Sequence, residues 1–197
     1  YAVGDILAYD GRTDTWSPYF DGSYVGWTRA VSDFVRLPDG SLLLVAGARL
    51  TLGSGTGRFT LEVQDIARFV PRSLGDHTDG TFSLYFDGSD VALSTSGERI
   101  DALAVKSDGT LLISTIDRAT VKNGATSITA QDEDLLAFRP TSLEANTGGV
   151  WSLLPDGFDG SLLTGMAAED VTGAWYDDAT GDLYLTITNA FKVGGVS

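Results

Sequence analysis

The 197-residue chain has no cysteine, one histidine, one methionine and three lysines. Without thiols there is no disulfide framework, no thiolate nucleophile and no cysteine-based zinc site. His77, in "GDHTDG", has no G-x-S-x-G elbow to serve, so a Ser-His-Asp reading lacks its nucleophile. It reads as a polar loop residue. No apolar run approaches the roughly 18 residues that would cross a bilayer as a helix. Positive charge is scarce too: 13 Lys and Arg face 27 Asp and Glu, for a net charge of -14. Such a field repels phosphate backbones and anionic lipid. Nucleic acid and membrane surfaces are therefore not expected partners, whereas neutral ligands and cations remain open. A first residue of Tyr1 instead of Met suggests processing, and with it a secreted or cell-surface setting.

Hydrophobic residues make up 43% of the chain, enough to fill a core. They recur in three columns. The first is "DILAY" at Asp5, "DIARF" at Asp65 and "DLLAF" at Asp134. The second places Trp16, Phe82 and Trp151 in "TWSPYFDGS", "TFSLYFDGS" and "VWSLLPDGFDGS". The third is a hairpin with Gly40, Gly109 and Gly181 at matching points of "FVRLPDGSLLLV", "LAVKSDGTLLIS" and "AWYDDATGDLYLT". A period of 60 to 70 residues divides one repetitive domain, 1–197, into units of about 1–64, 65–133 and 134–197. Apolar runs of four to eight residues, rich in β-branched and aromatic side chains, predict about four short strands per unit. Asp-Gly at 39–40 and 108–109 predicts tight antiparallel hairpins. Pro71 and Pro140, which lack an N–H, are expected to end their strands.

The order "IDALAVKSDGTLLIST", "DLLAFRPTSL", "VWSLL" resembles β-propeller repeats of the six-bladed NHL and TolB-like kind found in large secreted bacterial proteins. The resemblance covers essentially the whole chain. It implies an all-β, propeller-like array of about three four-stranded antiparallel blades, with an inner pair around each Asp-Gly turn and an outer pair following. The phase is offset from the ends. The chain opens on an outer pair (about 5–9 and 15–20) and finishes on an inner pair (about 171–176 and 182–188), so both terminal blades are incomplete. "FKVGGVS" followed by "YAVGDILAY" would read like the internal join "VKNGATSITAQDEDLLAF". The incomplete blades are expected to be completed by each other or by another chain, as a six-bladed homodimer, a head-to-tail filament or a segment of a longer array.

Three function classes follow. The first is a non-catalytic extracellular or cell-surface structural or adhesive module that assembles with copies of itself through its terminal strands. The second is a carbohydrate- or calcium-binding module. Trp16 and Trp151 share a column with Phe82 and read as packing positions, which leaves Trp27 and Trp175 as the aromatics free to meet a ligand. Calcium would need oxygens from the acidic loops at Asp76 and Asp79, at Asp132, Glu133 and Asp134, at Asp156 and Asp159, or at Asp177, Asp178 and Asp182. None of these fits the EF-hand spacing, and Asp-Gly is also ordinary turn chemistry, so no metal ligand set is assigned. The third class, a glycoside hydrolase, would draw a carboxylate pair from Glu98, Asp101 and Glu169. No catalytic residue is assigned, and no enzyme activity or cofactor is expected.

Overall fold

The computed structural model describes residues 1–189; the join expected from "FKVGGVS" lies outside them. In chain order the strands are β1 (Ile6–Asp10), β2 (Thr15–Phe20), β3 (Val31–Arg36), β4 (Leu42–Ala46), β5 (Leu50–Leu52), β6 (Phe59–Leu61), β7 (Ile66–Ser73) and β8 (Asp79–Phe86). They continue with β9 (Ile100–Val105), β10 (Leu111–Thr115), β11 (Ala119–Asn123), β12 (Thr126–Ala130), β13 (Leu136–Ser142), β14 (Gly148–Ser152), β15 (Val171–Asp177) and β16 (Asp182–Ile187). Only short 3-10 turns accompany them; no α-helix occurs among the described residues.

The all-β expectation holds, and every sheet is antiparallel. Two sheets have four strands, in the orders β3-β4-β7-β8 and β9-β10-β13-β14. Each joins the hairpin of one repeat unit to the following pair of the next, so the sheets straddle the unit boundaries. At the two ends, β1-β2 and β15-β16 stand as separate two-stranded sheets. No sheet closes on itself. The first two units are larger than four strands, because the ribbons β5-β6 and β11-β12 are inserted after β4 and β10.

Local chemistry repeats with the topology. Gly40 and Gly109 both sit at φ 85°, where a side chain would be strained, and each closes its hairpin by donating to the carbonyl three residues back, Leu37 and Lys106. The first strand of the hairpins β3-β4, β9-β10 and β15-β16 carries a one-residue bulge at the same place. Val31 and Asp33 pair with Ala46 and Val45, skipping Ser32; Asp101 and Thr172 are skipped in the same way. Pro71 and Pro140 depart from expectation. They lie inside β7 and β13, opposite Gly80 and Gly149, and the ladder continues past a bulge to Ser73 and Ser142. The bulge accommodates the missing N–H, so the proline bends the strand without ending it.

Burial separates complete sheets from incomplete ones. Every residue of β4 ("LLLVA") and β10 ("LLIST") is buried, while β16 alternates between exposed and half-buried. The same repeat position thus lies in the core where an outer pair covers it and in solvent where none does.

Candidate functional site: two open half-sheets

An aspartate staples each outer pair to the turn that follows it. Asp65 Oδ1 accepts from Gly88 N at 3.0 Å and Oδ2 from Glu62 N at 2.9 Å. Asp134 repeats this with Gly160 N and Gln131 N, both at 2.8 Å, and Asp5 with Gly22 N at 3.1 Å and Ala2 N at 2.6 Å. Gly88 must be glycine, because a Cβ there would overlap the Gln64 carbonyl. A second aspartate in each repeat (Asp21, Asp87, Asp159) accepts from the backbone and hydroxyl of the serine two residues on, which starts a 3-10 turn. Much of the acidity therefore caps backbone, and burial pushes the Asp65 carboxyl up to about 6.

Aromatic side chains join one sheet to the next. Phe69 and Phe82 lie 4.8 Å apart at 43°, and Phe20 meets Phe69 edge-on at 5.2 Å and 78°. One repeat later Phe138 and Trp151 lie 4.6 Å apart at 50°, and Phe86 meets Phe138 edge-on at 5.2 Å and 78°. The third instance is incomplete. Tyr9 and Trp16 hold the same pairing, 4.9 Å at 42°, but no edge-on ring reaches them among the described residues. Trp16, expected to pack, is 62% exposed, against 1% for Trp151.

Two features distinguish the terminal two-stranded sheets. A groove of about 450 Å³ runs beside β1, lined by Ile6, Leu7, Ala8, Tyr19, Phe34, Arg36 and Leu74. Phe34 is 38% exposed there, whereas Leu103, its equivalent one repeat later, is buried against the preceding sheet. At the other end β16 has one edge unpaired among the described residues, with Tyr184 52% exposed. In the complete sheets the corresponding junctions pair Leu42 with Phe69 and Leu44 with Ala67, or Leu111 with Phe138 and Ile113 with Leu136. Carried to the open edges, that register sets Leu183 opposite Tyr9, Tyr184 opposite Ala8 and Leu185 opposite Leu7.

Where the hairpins meet, Asp33 Oδ2 accepts from Leu103 N at 2.7 Å and Oδ1 from Phe34 N at 2.7 Å, with Ala174 N also directed at the carboxylate. Phe34, Leu103 and Ala174 occupy the same position in β3, β9 and β15, so one side chain ties three strands together. Burial holds the Asp33 carboxyl up at about 6.

The residues singled out from sequence are dispersed. Trp27 is 2% exposed and packs against Phe82 at 5.8 Å, which corrects its reading as a ligand contact: its ring fills the space between Gly4 and the next sheet. Trp175 is 58% exposed, leans on Tyr184 at 5.0 Å and lines a cleft of about 370 Å³ with Arg36, Lys106 and Tyr176. His77 stands edge-on to Tyr24. Glu98 accepts from Ser94, Thr95 and Thr120 N, and Glu169 from Asn189 N. Of the proposed calcium ligands, Asp79 pairs with Arg72, Asp134 and Asp159 cap backbone, and Asp177 and Asp178 accept from Ala179 N and Ser107 N. No three acidic or histidine side chains come together for a metal among the described residues. A carboxyl pair does form, but with a different partner: Asp101, 7% exposed, meets Asp170 just before β15. Burial first, and the Asp170 charge second, raise Asp101 to about 8. Asp170 fell outside the repeat columns, so only its position in space identifies it.

Compared with known proteins, the chain matches no family model, no curated protein and no solved structure.

Proposed function

We propose that the chain is a non-catalytic structural module that works by assembly, its terminal half-sheets completing one another between copies in a propeller-like array. One observation carries this reading. The half-sheet at one end has the two strands of a hairpin pair and the half-sheet at the other has the two strands of a following pair, the two halves of the sheet that the chain builds twice internally. Strand addition at an open edge supplies main-chain hydrogen bonds and buries the edge. An acidic surface and the bacterial secreted-repeat resemblance support placement at the cell surface or outside the cell, as a structural or adhesive unit. Light scattering tests the reading: assembly gives masses at multiples of 20.8 kDa, with twice that value for a six-bladed ring and long threads in electron micrographs for an open array. Thr186→Lys, which places a charge on the open β16 edge, returns the sample to single chains. A single-chain mass for the parent protein at high concentration refutes it.

A second reading rests on the exposed Trp175–Tyr184 pair beside its cleft, a platform suited to the apolar face of a sugar ring. Glycan binding lost on Trp175→Ala, with chain mass unchanged, would favour carbohydrate recognition; calorimetric silence toward glycans and calcium would leave assembly.

A further inference from the structure

We infer that the exposed Tyr9–Trp16 pair is a docking socket for Phe158 of a preceding copy of this chain, an inference that rests on the assembly reading above and adds a second contact to it. Phe20, Phe86 and Phe158 are equivalent: each is followed by an Asp-Gly-Ser in which the glycine N–H meets the staple aspartate and the aspartate caps the turn. Phe20 stands edge-on to Phe69, and Phe86 to Phe138, with the same 5.2 Å separation and the same 78° angle. Tyr9 is the equivalent of Phe69 and Phe138, and its pairing with Trp16 reproduces theirs. Among the described residues Phe158, half-buried against Leu135, Met166 and Val171, meets no aromatic pair, and the Tyr9–Trp16 pair meets no edge-on ring. Both are presented by the same docking event, because a β1-β2 sheet that completes the β15-β16 sheet of another copy takes the place next to that copy's β13-β14, as β13-β14 itself stands next to β7-β8.

The internal junctions have a further contact that this one lacks. In them the long loop of the following unit clips the preceding strand: Gly75 N donates to Tyr19 O and Asp21 N to Thr78 Oγ1, and one repeat later Glu144 N donates to Tyr85 O and Asp87 N to Thr147 Oγ1. The β1-β2 turn is too short to reach back in this way. The intermolecular junction therefore depends on the aromatic socket more than the internal ones do, and it should be reversible on dilution.

The test is the dissociation constant for self-association, from light scattering across a dilution series of the full chain and of Trp16→Ser, Phe158→Ala and the double variant. Trp16 is exposed, so its replacement leaves the fold intact. We expect each single change to weaken association at least tenfold, and the double variant to be no weaker than the poorer single one, since both remove one contact. Association unchanged in Trp16→Ser while Thr186→Lys abolishes it would overturn the socket and leave strand pairing standing. Absence of association in the parent chain would overturn both. Should Phe158→Ala unfold, the Trp16→Ser comparison alone still decides.

Discussion

Replacing Asp101 by asparagine should make the protein more stable, and by clearly more at pH 8 than at pH 5. Neither Asp101 oxygen has a hydrogen-bond donor among the ionised neighbours, and Asp170 Oδ1 has none. The two carboxyls become a hydrogen-bonded pair when Asp101 keeps its proton, with Arg99, Asp117 and Asp132 as the other charges acting on the pair. The carboxyl sits at about 8 in the fold against 3.8 for the free group. The folded chain thus holds a proton that the unfolded chain releases, and the stability it contributes is full below 3.8, declines as pH rises and levels off past about 8. Between pH 5 and pH 8, three pH units at ~1.4 kcal/mol each set a ceiling of roughly 4 kcal/mol on the change. Local adjustment and the Arg99 charge bring the expected loss nearer the ~1–3 kcal/mol of a buried polar group left unsatisfied. Asparagine keeps a donor toward Asp170 and carries no charge, so the loss disappears. Thermal melts at pH 5 and 8 should show the gain of Asp101→Asn over the parent to be larger at pH 8 by roughly 5 °C, at about 2–4 °C per kcal/mol for a chain of this size. Asp33 and Asp65 contribute in the same direction in both proteins, so the difference isolates Asp101. An asparagine variant less stable than the parent by the same amount at both pH values would refute the reasoning, because Asp101 would then be a stabilising charge.

Asp65→Ala strands the buried Gly88 N–H and the part-buried Glu62 N–H and should cost ~2–6 kcal/mol in urea unfolding, at ~1–3 kcal/mol each; a midpoint indistinguishable from the parent's would show that water replaces the staple. Trp151→Ala removes a buried ring whose Nε1 donates to Val91 O and should cost ~3–5 kcal/mol. Trp16→Ala, at the equivalent but exposed position, should change single-chain stability by no more than ~0.5 kcal/mol. Equal losses from the two tryptophans would contradict the difference in burial.

The sequence made the repeat, its phase and the Asp-Gly hairpins legible because each depends on local chemistry: a positive φ, an alternation, a turn that only glycine fits. Burial was legible only where both neighbours of a position lie within the chain. Trp16 and Trp151 share a column, and the column alone predicts packing for both; Trp16 is exposed because, among the described residues, no ring stands against Tyr9 as Phe20 and Phe86 stand against Phe69 and Phe138. Trp27 misled in the opposite direction. It matches Leu93, which is also fully buried, so its lack of an aromatic equivalent signalled a larger space to fill and not a ligand. The ribbons β5-β6 and β11-β12 were not legible: about four strands per unit are expected, and the second ribbon falls largely in the stretch read as the join "VKNGATSITAQDEDLLAF". Asp33 as the tie among three strands, and Asp101 facing Asp170, depend on how successive hairpins stack, which no spacing along the chain encodes.

Head-to-tail completion of the sheets is tested most directly by cysteines placed across the missing junction, since the chain has none of its own. Ala8 and Tyr184 become cross-strand neighbours in the register of the internal sheets, at the ~4.5–5.5 Å Cα spacing of such pairs, within disulfide reach. Mixing Ala8→Cys chains with Tyr184→Cys chains under mild oxidation should give a covalent dimer that neither variant forms alone. Folded chains that stay unlinked in the mixture, or that link as readily in a single-variant sample, would contradict it.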